Sequence, residues 1–180
     1  MRLFFASTSS YNHGVILQPE AFFRERVDAI VAGETIRLGR LLPNAIVEHV
    51  GGTSIIGALT KGDVDLCAHV DSADFAAAVH LLQSIYVINQ PENWTTTFAS
   101  FKDDTSFELP LGVQLSVKDD DPYLFIALRN HLRTDPKALA RYNAVKRAHE
   151  SSDDAAYREA KGALIELLLS EMRQRSPATP

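Results

Sequence analysis

The sequence predicts an α/β (α+β) protein, in which helices flank a small mixed β-sheet and a helical layer forms the C-terminal part. Short runs rich in β-branched residues, bounded by Gly or Pro, fall between residues 45 and 117 and are typical of strands. From residue 122 onwards, apolar residues keep helical spacing, and Pro or Asp stands at each expected helix start. With 180 residues, 46% hydrophobic and 23% charged, the chain fits a single domain, 1–180, whose helical C-terminal portion is 121–175.

The N-terminal third contains one clear helix and one strand. Residues 1–6 are apolar but too few for a signal sequence, and we interpret them as a strand or a loose end. Pro19 suits the first turn of a helix that keeps its apolar spacing up to Gly33. A second, short helical or irregular piece over 34–42 ends before Pro43, and residues 45–50 form the first strand of the sheet.

The rest of the chain alternates between sheet and helix before it becomes helical. Asp74 is expected to cap a helix that reaches residue 86 and packs an apolar stripe against the sheet. Strands over 95–101 and 111–117 flank an acidic turn at Asp103 and Asp104. Three helices follow, over 124–133, 136–148 and 153–174.

A glycine turn at the end of the first strand is typical of an anion-binding site. Gly51 and Gly52 allow positive φ and direct backbone N–H groups towards an approaching phosphate. Thr53 or Ser54 can then cap a short helix that runs through Leu59. A nucleoside triphosphate is the ligand that suits this turn.

The strand after the turn places two carboxylates side by side. In residues 63–70, Asp63, Asp65, Cys67 and His69 alternate with apolar residues and therefore share one face. Two ionised carboxylates repel each other unless a cation lies between them, and hard oxygen ligands favour magnesium shared with phosphates. Asp-x-Asp and Gly-Gly are each common in unrelated proteins, so the prediction depends on their order and spacing together.

These motifs resemble those of a known family. The sequence from Val50 to Gly52, followed by Asp63-Val64-Asp65-Leu66, resembles the signature of the nucleotidyltransferase superfamily. Residues 48–57, Glu-His-Val-Gly-Gly-Thr-Ser-Ile-Ile-Gly, look like the Glu-His-Val-Gly-Ser-Thr-Ser-Val-Pro-Gly block of GrpB-like proteins. Leu132-Arg133-Thr134-Asp135-Pro136, followed by Tyr142, Lys146 and Tyr157, is similar to the family's helical tail, so the resemblance covers most of the chain.

The resemblance implies a nucleotidyltransferase-like fold and a magnesium-dependent transfer of a nucleoside monophosphate to an unidentified acceptor hydroxyl. ATP is the expected triphosphate. Asp63 and Asp65 would be catalytic and hold the metal, and the nucleotide contacts would come from Gly51, Gly52, Thr53, Ser54 and Lys61. The superfamily commonly adds a third carboxylate, for which Glu108 is preferred to Asp104 because a strand beside the acidic one can project it into the same cleft.

Three departures from the family pattern leave an alternative open. Gly52 replaces a usual serine, and Asp63 stands where members often carry an apolar residue. Residues 114–117, Gln-Leu-Ser-Val, correspond to a family His-Leu-His-Val, so both imidazoles are absent. The alternative to a transferase is therefore a catalytically degenerate nucleotide-binding or protein-interaction module.

Composition excludes several other classes of protein. A net charge of −5 disfavours a nucleic-acid partner. We interpret Arg141, Lys146 and Arg147 as a solvated helix face, with a contact to substrate phosphate as the alternative. The single cysteine, Cys67, cannot form an internal disulfide, and no apolar stretch has the length of a membrane span. A cytoplasmic protein without a membrane partner is expected.

Overall fold

A computed structural model describes residues 16–118, 123–150 and 154–175. The predicted N-terminal strand or loose end, 1–6, lies outside these residues. The described strands are β1 (Gln18–Pro19), β2 (Ile46–Val50), β3 (Leu59–Thr60), β4 (Val64–Val70), β5 (Val87–Ile88), β6 (Phe98–Asp103) and β7 (Leu111–Val117). Five of them form one mixed sheet in the order β2-β4-β7-β6-β5, in which β4 runs parallel to β7 and the other neighbours are antiparallel. β1 pairs with β3 in a separate ribbon. The predicted mixed sheet is confirmed.

Helices cover both faces of the sheet. They are α1 (Arg24–Leu41), α2 (Phe75–Gln83), α3 (Tyr123–Thr134), α4 (Pro136–Ala148) and α5 (Asp154–Arg175). Apolar residues of β4 such as Leu66 pack with α1 and α2 in one core, whereas Cys67 packs with the three C-terminal helices in a second core. This confirms both the alternation predicted for β4 and the C-terminal helical layer. Among the described residues, no helix is both long and apolar enough to cross a bilayer.

The first helix differs from the prediction. A 3₁₀ turn at Glu20–Phe22 follows Pro19, and α1 then runs without a break past Gly33, where the sequence predicted an end. The helix continues because Val27, Ile30 and Leu38 bury one stripe against the sheet. A glycine inside a helix costs only about 1 kcal/mol, which this packing outweighs.

The start of α2 is also corrected. Asp74 lies in a 3₁₀ turn, and its side chain makes no capping hydrogen bond. The apolar stripe from Phe75 to Tyr86 packs on the sheet as predicted. A side-chain cap occurs instead at α4, where Asp135 accepts hydrogen bonds from the amides of Lys137 and Ala138.

Candidate functional site

The glycine turn is shaped by a close approach to Asp65. Gly51 has φ +73°, and a Cβ at this position would lie 2.2 Å from Asp65 Oδ2. Of the two adjacent glycines, only Gly51 takes positive φ. The helix predicted to run through Leu59 is wrong, because a 3₁₀ turn at Gly52–Ser54 is followed by the short strand β3. Ser54 Oγ donates to Gly51 O at 2.7 Å and fixes the turn from within.

A short chain of hydrogen bonds joins the turn to the first acid. Thr53 Oγ1 donates to Asp63 O at 2.9 Å, and His49 Nε2 lies 3.1 Å from the same hydroxyl. Since the hydroxyl hydrogen is directed to Asp63, the imidazole is the donor to Thr53. Burial, followed by the charges of Arg133 and Arg129, lowers the pKa of His49 to about 4. His49 is therefore neutral at physiological pH and has a supporting role.

Asp63 and Asp65 meet in one small polar cavity beneath the helical layer. Asp65 is 5% exposed, and its Oδ1 accepts a hydrogen bond from Gln114 Nε2 at 3.3 Å. The cavity has a volume of about 20 Å³, room for about one water molecule. Of the predicted turn residues, Gly52 lines the cavity, whereas Gly51, Thr53 and Ser54 are absent from its lining. The lining contains both acids, three lysines, two tyrosines, a glycine and a threonine: Gly52, Thr60, Lys61, Asp63, Asp65, Tyr142, Lys146, Tyr157 and Lys161.

Two helices contribute the same Tyr-x-x-x-Lys pair to this cavity. On α4, Lys146 Nζ lies 4.8 Å from the centre of the Tyr142 ring. On α5, Lys161 Nζ lies 5.7 Å from the centre of the Tyr157 ring, which Lys61 also approaches from the sheet side at 5.6 Å. Residues four apart lie on one helix face, so each tyrosine and its lysine reach the cavity side by side, with the ammonium near the aromatic ring.

Burial shifts the proton equilibria of the cavity towards neutral groups. Desolvation, followed by the charge of Asp63, raises the pKa of Asp65 to about 7. Desolvation lowers the pKa of Lys146 to about 7 and that of Lys161 to about 8, and in both cases the two carboxylates oppose the shift. The acids therefore have ammonium groups as counterions inside the protein.

Of the other predicted site residues, Lys61 reaches the cavity and Glu108 does not. Lys61 Nζ lies 3.9 Å from Asp63 Oδ2. Glu108 is exposed in the connection between β6 and β7 and is absent from the cavity lining. Gln114 of β7 instead lies beside Asp65, and its buried Oε1 has no hydrogen-bond partner among the described residues. Within the described ranges, no three His, Cys, Asp or Glu residues form a metal-binding group.

Cys67 and His69 lie deeper than the cavity. Ser116 Oγ is 2.7 Å from His69 Nδ1 and 3.9 Å from Cys67 Sγ, and all three residues are fully buried. Burial raises the pKa of the Cys67 thiol to about 12, which leaves it protonated and unreactive. These residues form the wall behind the acids.

Lys146 is the functional candidate that the sequence interpretation placed wrongly. It was expected on a solvated face with Arg141 and Arg147, but it is 4% exposed. The interpretation holds for Arg141, whose guanidinium makes an exposed ion pair with Glu171 at 2.8 Å. The missed signal was the spacing of Ala138, Tyr142 and Lys146, which places the lysine on the buried face of α4.

Solved structures share this fold. A crystal structure of the conserved protein GrpB from Enterococcus faecalis aligns with 86% of this chain and 99% of its own, with a TM-score of 0.60 and 18% identity. The Cid1 poly(U) polymerase, solved with MgGTP bound, aligns with 74% of this chain and 42% of its own, with a TM-score of 0.50 and 16% identity. The fold is thus similar to that of a nucleotidyltransferase.

Sequence relatives point to one family. A UPF0157 protein of Vibrio cholerae serotype O1 is 29% identical over 136 residues, which cover 76% of this chain and 72% of the relative. The family model described as GrpB protein matches residues 21–171, which include the glycine turn, both acids and all three lysines of the cavity. The chain belongs to the GrpB family.

Proposed function

We propose that this protein binds a nucleoside triphosphate with magnesium in the cavity between the glycine turn and the helical layer, and transfers the nucleoside monophosphate to an acceptor hydroxyl. The observation that carries the proposal is the meeting of two carboxylates, three lysines and the glycine turn in one polar cavity. The similarity of the fold to Cid1 supports it. ATP is the expected triphosphate.

The donor set around Asp65 fits magnesium. Asp63 and Asp65 would hold the ion, since carboxylate oxygens are the hard ligands it prefers. Gln114 can add a third oxygen, because its Oε1 is buried and no described residue bonds to it. When bound, magnesium would neutralise triphosphate charge and stabilise the leaving pyrophosphate.

The lysines and the glycine turn fit the phosphates. A Cβ at Gly52 would lie 3.2 Å from both Lys146 Nζ and Thr60 Oγ1, so the glycine leaves these two donors open to a ligand at the turn. Lys61 and Lys161 add two further ammonium groups on the same cavity. A phosphate beside Lys146 and Lys161 would favour their protonated state, because a nearby negative charge raises the pKa of an amine.

A triphosphate requires the cavity to open. Its volume of about 20 Å³ is far below that of a nucleotide. The α4 side of the cavity is tied to the sheet layer, since Asn143 bonds both Gly57 O and Leu59 N. The side chains of Tyr157 and Lys161, both on α5, line the cavity from the helical layer. We expect these two side chains to move outward when nucleotide enters.

Calorimetric titration tests the proposal. The protein is titrated with ATP in excess magnesium and with ATP in chelator, and Lys146→Met is compared with the control Lys102→Met, whose surface lysine pairs with Asp104 outside the cavity. We expect binding only with magnesium, and affinity roughly tenfold or more lower in Lys146→Met, from loss of a charged hydrogen bond. An affinity for ATP that does not depend on magnesium, or that is equal in the two variants, would overturn the proposal.

A second candidate function is nucleotide binding without transfer. It is favoured by Gln114, an amide where the strand next to Asp65 could supply a third acid, and by the exposed position of Glu108. Pyrophosphate release is measured with ATP, magnesium and a panel of alcohols, sugars and hydroxyl-bearing peptides. Release above the level of Asp65→Asn supports transfer, whereas retained ATP binding without release supports the second function.

A further inference from the structure

Two arginines of α3 hold the glycine turn through hydrogen bonds to its flanking backbone carbonyls. Arg133 donates through Nε and Nη2 to Ser54 O, at 3.0 and 2.6 Å. One helical turn earlier, Arg129 Nη1 donates to His49 O and to Glu48 Oε2, both at 2.7 Å. The two guanidinium groups therefore fix the backbone on either side of Gly51–Thr53.

The pinned carbonyls determine the orientation of the turn. His49 O and Ser54 O accept from α3, and Gly51 O accepts from Ser54 Oγ at 2.7 Å. A peptide carbonyl held in one direction holds the N–H of the same peptide in the opposite direction. Hydrogen bonds to these three carbonyls thus hold the backbone of the turn in one conformation.

The same arginines provide charge behind the turn. Arg129 is 8% exposed, and Glu48 is its ion-pair partner at 2.7 Å. Arg133 is bonded to a neutral carbonyl, so its positive charge is less compensated. Both charges reach His49, where they add to burial in lowering its pKa. A phosphate at the turn would lie in the field of the same two guanidinium groups.

We propose that Arg133 and Arg129 are positioning residues for phosphate binding: they fix the Gly51–Ser54 backbone and join it to the helical layer that carries the cavity lysines. This inference rests on the proposed function, because the ligand positioned is the triphosphate. Neither arginine is among the residues that line the cavity, so the proposed role acts through the backbone that they hold.

The test separates positioning from metal binding and from folding. Arg133→Gln and Arg133→Lys are compared with Arg141→Gln, which removes an exposed ion pair of α4 with Glu171 and leaves the turn intact. The affinity for ATP with magnesium is measured by calorimetry, the affinity for Mn²⁺ alone by electron paramagnetic resonance, and the melting temperature by calorimetric scanning.

We expect Arg133→Gln to weaken ATP binding roughly tenfold or more, with Mn²⁺ affinity within about twofold of the parent. Arg133→Lys should recover part of the loss, because one ammonium can bond Ser54 O but cannot make two parallel bonds. ATP affinity of a folded Arg133→Gln variant equal to that of Arg141→Gln would overturn the inference, and so would failure of both Arg133 variants to fold. A parent protein that does not bind ATP would instead refute the proposed function.

Discussion

Replacing Asp65 by Asn should have opposite effects on stability and on ligand binding. The carboxyl is 5% exposed, and burial, followed by the charge of Asp63, raises its pKa from 3.8 to about 7. Between these two pH values the folded protein retains a proton that the unfolded chain has released. The contribution of protonated Asp65 to stability is therefore complete below about pH 4 and is lost as pH rises through 7.

The size of the effect follows from the pKa. A shift of about three units corresponds to about 4 kcal/mol at pH 8, taking about 1.4 kcal/mol per unit. This is an upper bound, because Lys146 and Lys161 lose a favourable partner when the charge at Asp65 disappears. Asn has nearly the same shape as the protonated acid and can still accept from Gln114 Nε2. In chelator, we expect equal stability near pH 4 and equal or higher stability of the variant at pH 8.

Urea unfolding at both pH values measures this difference in stability. Repeating it with magnesium and ATP measures how much the ligand stabilises the folded protein, and Asp65→Asn should lose this stabilisation. Asp103→Asn is the control: burial alone would raise the pKa of Asp103, but hydrogen bonds from Ser106 and Thr105 outweigh it and hold the pKa below its ordinary value. This control should be less stable than the parent above pH 4. If Asp65→Asn also unfolds at clearly lower urea at pH 8 in chelator, Asp65 is a structural acceptor and the catalytic interpretation must be given up.

Three further substitutions have separate expected results. Gly52→Val should abolish ATP binding in a folded protein, because the added Cβ would lie 3.2 Å from Lys146 Nζ and the valine methyl groups would fill the cavity. Calorimetry measures the affinity and the melting temperature checks folding; unchanged affinity would place the phosphate site elsewhere. Gly33→Ala should stabilise the protein by about 0.5–1 kcal/mol, because no atom lies within 4 Å of the added Cβ; urea unfolding measures it, and a loss of stability would contradict an open helix face. In the parent, the contribution of His49 to stability should fall by up to about 1.4 kcal/mol per pH unit from pH 6.5 to 4, as the unfolded chain protonates His49 before the folded protein does, while Asp65 contributes a slope of opposite sign over the same range. His49→Gln should lack this fall, so its advantage over the parent should grow as pH drops from 6.5 to 4, and a pH slope equal to that of the parent would show that His49 does not contribute it.

The parts of the fold that followed from the sequence are those in which local pattern and burial agree. β4 alternates between two cores as its residues alternate in polarity, and α3 to α5 begin at or near Pro and Asp as predicted. Strands β1 and β5 contain two residues each, too few to show such a pattern. Gly33 predicts a helix end because its local preference opposes helix, whereas the packing of Leu38 and its neighbours against the sheet decides the outcome.

The glycine turn and the acids could be located from sequence because their residues are close together along the chain. The lysines could not be placed in the same way, since Lys146 and Lys161 come from helices that reach the cavity only through the tertiary fold. Gln114 was compared with a family histidine in the sequence, and only the pairing of β7 with β4 brings it beside Asp65. Whether it supplies a metal ligand stays a prediction.

The lysines of the two Tyr-x-x-x-Lys pairs stabilise the carboxylates of the cavity before any ligand binds. A buried carboxylate without a partner would cost several kcal/mol, and Lys146 and Lys161 reduce this cost to Asp65 in the ligand-free protein. In the proposed function, a magnesium-bound triphosphate would offer both sets of groups a replacement partner, the metal for the acids and the phosphates for the lysines. Binding would then exchange one set of charge pairs for another, and the affinity for nucleotide would depend on the difference in free energy between the two sets. The strength of these internal pairs is expected to limit how tightly nucleotide binds, because each ammonium must leave a carboxylate before it contacts a phosphate.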